Sequence, residues 1–257
     1  MLITIDIGNS YVSFGGYEEE ELLFVSDIVT DSKKSEDQYA VEIENIMRLY
    51  KINTEKIDGG IISSVVPELT EVIKNAIKKL CGVVCLVVGP GVKSGINLNI
   101  ENPAQLGADM VAEAVAVINK YPCPAIICDL GTVTVLAVID KNKNFNGVII
   151  AAGVGTTSEG FSKNTALLPH VSIEQPKKII GKNTVSSVQS GLINGTAAMI
   201  DGLILRIERE LGEKTTIIAT GKMTERIIPH CDRDILISDY LVFEGLRLIY
   251  LKNTEKI

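Results

Sequence analysis

A chain of 257 residues accommodates one large domain or two of roughly 130 residues. Hydrophobic residues make up 46% and charged residues 22%. That is the balance of a globular protein with a large core, and no apolar run approaches the ~18 residues that a membrane-spanning helix needs. The formal net charge is −7, with Lys and Arg dispersed along the chain, which argues against nucleic acid as a partner because neutralising phosphates takes a basic footprint.

Residues 2–7 and 11–17 read as strands around the turn Gly8-Asn9-Ser10, with a third strand over 22–29. The run Glu18–Glu21 between them reads as a solvated turn. Tyr39, Ile43, Ile46, Met47 and Tyr50 recur at helical spacing and predict an amphipathic helix over 37–50. A strand over 59–66, a helix over 67–80 and a strand over 83–88 follow, an alternation that predicts an α/β sheet. Asn102-Pro103 with Gln105 reads as a capped helix start. That helix is expected to reach Lys120, where Pro122-Cys123-Pro124 stops it.

Residues 125–140 form two apolar strands about a tight turn, followed by a polar turn at Lys141–Asn144 and a strand toward Ala151. A long helix over 185–211, a strand over 215–219 and a helix over 241–252 complete the chain. The segments Thr4-Ile5-Asp6-Ile7-Gly8-Asn9-Ser10 and Ile127-Cys128-Asp129-Leu130-Gly131-Thr132-Val133 share an apolar strand, Asp, Gly and a small polar side chain. This weak repeat predicts two similar lobes, 1–110 and 111–257, each opening on a strand-turn-strand unit.

Cys81, Cys85, Cys123, Cys128 and Cys231 lie mostly in or beside apolar runs, as small buried hydrophobes do. No histidine or second close cysteine pair completes a zinc set. The odd cysteine count and a start that runs straight into a strand predict reduced thiols and a cytoplasmic protein.

In Asp6-Ile7-Gly8-Asn9-Ser10 a carboxylate ends a strand beside a glycine turn. Backbone N–H groups of such a turn can face phosphate oxygens, and the aspartate can hold a hydrated Mg²⁺. Read alone, it fits a hairpin better; the second Asp-x-Gly-Thr turn, at Asp129–Thr132, raises the reading of phosphates held from two sides. No G-x-x-x-x-G-K-[ST] run competes. Asp109, in Gly107-Ala108-Asp109, fits either a base that orients an attacking hydroxyl or a solvated helix aspartate. Gly181-Lys182-Asn183-Thr184 fits a helix cap. His170 and His230 have no nucleophile context.

These motifs occur in one order with Ser63-Ser64-Val65-Val66-Pro67, Asn102-Pro103, Thr165-Ala166-Leu167-Leu168-Pro169, Ile180–Thr184, Ser190-Gly191 and Glu244-Gly245-Leu246-Arg247-Leu248-Ile249-Tyr250. The series resembles the type III pantothenate kinase family over almost the whole chain. The resemblance implies an α/β fold of two RNase H-like lobes, of the actin-like, sugar-kinase superfold, with a nucleotide cleft between them. It also implies a homodimer that phosphorylates the primary hydroxyl of pantothenate with ATP, the first step of coenzyme A biosynthesis.

By the same resemblance, Asp6, Ile7, Gly8, Asn9, Ser10, Tyr11, Val12 and Ser13 with Thr132 bind ATP, beside which Asp6 can hold Mg²⁺ through water. Asp129 binds a monovalent cation, K⁺ or NH₄⁺. Asp109 is the base, and Gly107, Ala108, Asp109, Met110 and Thr184 contact pantothenate. The chain departs from the family's pattern where Gly-x-Asp-Arg reads Gly107-Ala108-Asp109-Met110 and where an aromatic residue before Asn-Pro is replaced by Ile100-Glu101. Two further departures are Asn146–Gly153, in place of Gly-Gly-x-Ile-x-Pro-Gly, and Thr220-Gly221-Lys222, in place of Thr-Gly-Gly. An arginine lost from a charged contact costs about 1.5–3 kcal/mol. The alternatives are therefore a paralogue acting on another hydroxyl compound or a non-catalytic nucleotide-binding relative.

Overall fold

The computed structural model describes residues 1–254, which divide into two compact units. The first contains Met1–Ile96, Glu101–Asn119 and the C-terminal helix; the second contains Asn97–Ile100 and Lys120–Tyr240. The helix Ala108–Lys120 lies in the first unit except for its last residue.

In the first unit a five-stranded sheet runs in the order β3-β2-β1-β4-β5, from β1 (Leu2–Ile7), β2 (Tyr11–Glu18), β3 (Glu21–Val29), β4 (Gly59–Ser64) and β5 (Leu86–Val87). β1 pairs antiparallel with β2 and parallel with β4. Ile3, Ile5 and Ile7 of β1 and Val12 and Phe14 of β2 are all fully buried on one face, as the two-residue period of a strand requires. Helices α1 (Glu36–Leu49) and α2 (Pro67–Cys81) cover that face with Tyr39, Ile43, Leu69 and Ile73. A capping box between Ser35 and Gln38 starts α1, satisfying N–H groups that the helix cannot bond itself. The expected strand over 83–88 contracts to the two residues of β5.

The helix expected from Pro103 begins later. Pro103–Gln105 forms one 3₁₀ turn, closed by Leu106 N–H donating to Pro103 O, and Asn102 makes no side-chain cap. Leu106 is extended, and α3 runs over Ala108–Lys120. Every residue of α3 from Val111 to Val117 is buried, so the helix is enclosed rather than amphipathic. Helix α7 (Leu241–Thr254) returns to this unit and packs on β1 and β4.

The second unit repeats the plan. Its sheet runs β11-β10-β7-β8-β9-β6, from β6 (Asn97–Leu98), β7 (Ala125–Leu130), β8 (Val133–Ile139), β9 (Asn144–Ala152), β10 (Thr216–Thr220) and β11 (Leu236–Ile237). As in the first sheet, β7 pairs antiparallel with β8 and parallel with β10. The weak sequence repeat thus marks two sheets of matching strand order and sense, with β6 added to one edge. The sequence reading missed α4 (Val154–Asn164) and the short α6 (Thr224–Ile227). Between them α5 (Thr184–Leu211), capped by Asn183, lays Val188, Leu192, Ile200 and Ile204 into the second core. All five cysteines are free thiols, and no helix among the described residues is long and apolar enough to cross a membrane.

Ile5 is wholly enclosed in the central strand, so Ile5→Ala should cost about 2–5 kcal/mol through lost burial and a residual cavity. Urea unfolding of the wild type and variant measures the difference.

Candidate active site

The carboxyl ends of the parallel strands carry the acidic side chains. Asp6 near the end of β1 is level with Ser13 on β2 and Ser63 on β4; ligands of open α/β sheets bind outside these strand ends. The turn after Asp6 is tied from within and from the neighbouring strand. Gly8 N–H donates to Tyr11 O at 2.9 Å. Thr30 donates its hydroxyl to Gly8 O at 2.7 Å and its N–H to Ser10 O at 3.0 Å. Asn9, Ser10 and Tyr11 are exposed, while the side chains of Ile7 and Val12 lie in the core, so those two can offer a ligand only backbone groups. Ser63 is fully buried, and its hydroxyl has no hydrogen-bond partner among the described residues.

Asp109 belongs to the same unit and sits in the first turn of α3. The interruption at Leu106 and Gly107 places it there, where an unbroken helix from Pro103 would have carried it into the second turn. Met110 N–H donates to its Oδ1 at 2.8 Å. The carboxylate folds back over Gly107: a Cβ on that residue would lie 2.2 Å from Asp109 Oδ1 and 3.4 Å from the Met110 methyl. Burial pushes the carboxyl above its ordinary range, against the opposing pull of the backbone N–H groups of Met110 and of Asp109 itself. A raised value makes a carboxylate a stronger proton acceptor near neutral pH. The alternative of a solvated helix aspartate does not describe this environment.

In the second unit Asp129 is the counterpart of Asp6, level with Val135 and Thr220. Gly131 N–H donates to Val133 O at 3.1 Å and the Thr156 hydroxyl to Thr132 O at 2.7 Å. Two glycines that sequence reasoning noted only as departures crowd this turn. A Cβ on Gly221, whose φ is 95°, would lie 2.5 Å from Asp129 Oδ1, and one on Gly153 would lie 2.4 Å from Thr132 O. The signal for them was faint, because one glycine following a strand marks many ordinary turns. Thr132 and Thr184 are exposed. Thr184 opens α5 and borders a cavity of about 650 Å³ with Phe161, Leu168, Lys182, Asn183 and Val188. Asp6–Ser13 and Gly107–Met110 are thus gathered in the first unit, and Asp129, Thr132 and Thr184 in the second.

Among the described residues no three His, Cys, Asp or Glu side chains cluster as a metal cage. Single carboxylates beside hydroxyl and carbonyl oxygens suit a hard cation that brings its remaining ligands from phosphate and water, as Mg²⁺ does.

The sequence profile described as type III pantothenate kinase matches residues 2–206. The chain belongs to that family. A type III pantothenate kinase from an Exiguobacterium species is 37% identical over 255 residues, covering 99% of this chain and 100% of the relative. Among solved structures, a Campylobacter jejuni protein described as a Baf-family transcriptional activator superposes with a TM-score of 0.61 at 18% identity, covering 98% of each chain. A Sinorhizobium meliloti protein described as a 2-dehydro-3-deoxygalactonokinase gives 0.59 at 9% identity, covering 100% of this chain and 98% of its own. At such identities the likeness is one of fold, and it is that of the actin-like, sugar-kinase superfold. Met110, where the resemblance led to the expectation of arginine, is half-buried at the first turn of α3.

Because the folded protein raises the Asp109 carboxyl above its unfolded value of about 3.9, ionised Asp109 destabilises the fold. The stability this group permits is complete below the unfolded value and is lost as pH rises through the folded one. Asp109→Asn should therefore stabilise the protein at pH 7, with the gain shrinking on acidification toward the ordinary carboxylate range. Urea unfolding over a pH series checks this.

Proposed function

We propose that the chain transfers the γ-phosphoryl group of ATP to the primary hydroxyl of pantothenate, giving 4′-phosphopantothenate at the first step of coenzyme A biosynthesis. Membership of the family along nearly the full length supports the reading. The single structural observation that carries it is a half-buried carboxylate of raised basicity at the start of α3.

In this mechanism the turn from Asp6 to Ser13 and the hydroxyl of Thr132 hold the triphosphate, largely through backbone donors. Asp6 would hold Mg²⁺ and Asp129 would bind K⁺ or NH₄⁺; when bound, these cations would neutralise charge on the phosphates. Asp109 accepts the proton of the pantothenate hydroxyl as its oxygen bonds to the γ-phosphorus and the bond from that phosphorus to the bridging oxygen of ADP breaks. Gly107, Ala108, Met110 and Thr184 contact pantothenate. The protein acts as a cytoplasmic homodimer.

One observation favours a second reading. Met110 offers no donor where the family's arginine offers several, which suits a hydroxyl compound lacking an anionic group at that point. The non-catalytic alternative is weaker, because a binding module needs no basic carboxylate at position 109.

Mass-detected turnover of pantothenate in buffers containing K⁺ or Na⁺ tests the proposal, which expects 4′-phosphopantothenate and faster turnover in K⁺. ATP turnover with another alcohol but none with pantothenate would replace it by the second reading. Asp109→Asn should reduce transfer by at least about 100-fold, the range of a general base, while ATP affinity measured by calorimetry stays within about twofold. Met110→Arg should lower KM for pantothenate by about tenfold or more, the worth of a charge-assisted contact; an unchanged KM would show a pocket rebuilt beyond that residue.

A further inference from the structure

Helix α7 lies on the face of the first sheet opposite α1 and α2. Two glycines of the sheet admit it: a Cβ on Gly15 would lie 2.8 Å from Thr4 Oγ1 and 3.1 Å from the Phe243 ring, and one on Gly59 would lie 2.2 Å from the Tyr250 hydroxyl. On its other side α7 meets α3. There a Cβ on Gly245 would lie 1.8 Å from Ala112 O and 2.3 Å from Ala112 C.

The third contact differs in kind from the first two. Phe243 and Tyr250 are side chains that can turn aside, whereas the atoms facing Gly245 are the backbone of α3 itself. Ala112 stands three residues after Asp109, on the same side of the helix. With every residue from Val111 to Val117 buried, α3 has little room to bend locally and must answer a push by moving as a body.

We propose that Gly245 is a positioning residue for Asp109: its missing side chain lets α3 seat against α7, and that seating sets where the Asp109 carboxylate stands. The inference rests on Asp109 as the base of the proposed reaction. Any side chain at 245 drives α3 outward by about an ångström, a misplacement that can cost about 100-fold in rate.

The test uses the full-length protein. Gly245→Ala should lower kcat for pantothenate phosphorylation by about ten- to 100-fold while nucleotide affinity stays within about twofold. The acidic limb of the pH–rate profile should move toward the ordinary carboxylate value as Asp109 gains water. Gly15→Ala, which presses α7 from the sheet side through Phe243, should act in the same direction more weakly, and it serves if the variant at 245 does not fold. Leu246→Ala removes a buried side chain from α7 without placing an atom against Ala112; it should lower stability and leave kcat and the pH profile near wild type.

A ¹³C NMR titration of the Asp109 carboxyl, assigned with Asp109→Asn, reads the same displacement without turnover. If the wild type fails to phosphorylate pantothenate but this titration shifts in Gly245→Ala, the positioning stands and the proposed reaction falls. Unchanged kcat, or an unchanged Asp109 titration, in folded Gly245→Ala and Gly15→Ala overturns the positioning.

Discussion

The parallel pairing of β1 with β4, and of β7 with β10, is the constraint on which the rest of the molecule depends. A strand with neighbours on both sides is fixed in register, because a slip of one residue would turn Ile3, Ile5 and Ile7 out of the core. Fixing the register fixes the strand end, and at each strand end stands an aspartate followed by a glycine turn. The same arrangement built twice gives each unit one acidic side chain and one tied turn, Gly8 N–H to Tyr11 O in the first and Gly131 N–H to Val133 O in the second.

Asp109 obeys a different logic. It stands on a helix, and its environment opposes its own charge, so the fold carries it at a cost in stability, as functional groups commonly do. Three features keep it in place: the break at Leu106 that makes it a first-turn residue, the Met110 N–H that bonds its carboxylate, and Gly107, over which that carboxylate folds. Burial raises the Asp109 carboxyl, and backbone donors restrain the rise.

Much of the fold is legible in the residues. Alternating apolar strands and periodic helices mark β1–β4, α1, α2 and α5 within a few positions, and the paired Asp-x-Gly runs reveal the duplicated sheets. Short elements are less legible: β6 and β11, of two residues each, carry no signal, and β5 keeps two residues of the strand expected over 83–88; all three exist because neighbouring strands offer them partners. The start of α3 shows the limit of cap-based reasoning. Asn102 and Pro103 have the residue types of a helix start, but the chain spends them on a single 3₁₀ turn. Motif order finds the aspartates of the candidate site; Gly153, Gly221 and Gly245 become visible only once the backbones they approach are in place, since those partners lie far along the chain.

The route of the chain through its two cores carries a further consequence. The first core opens with β1, the chain then departs to build the whole of the second unit, and α7 brings it back. During synthesis from the N-terminus, every residue of the second core therefore leaves the ribosome before the helix that completes the first unit. Until then the sheet face bearing Gly15 and Gly59 lacks the helix that covers it, so the nascent chain exposes a surface that the finished protein buries.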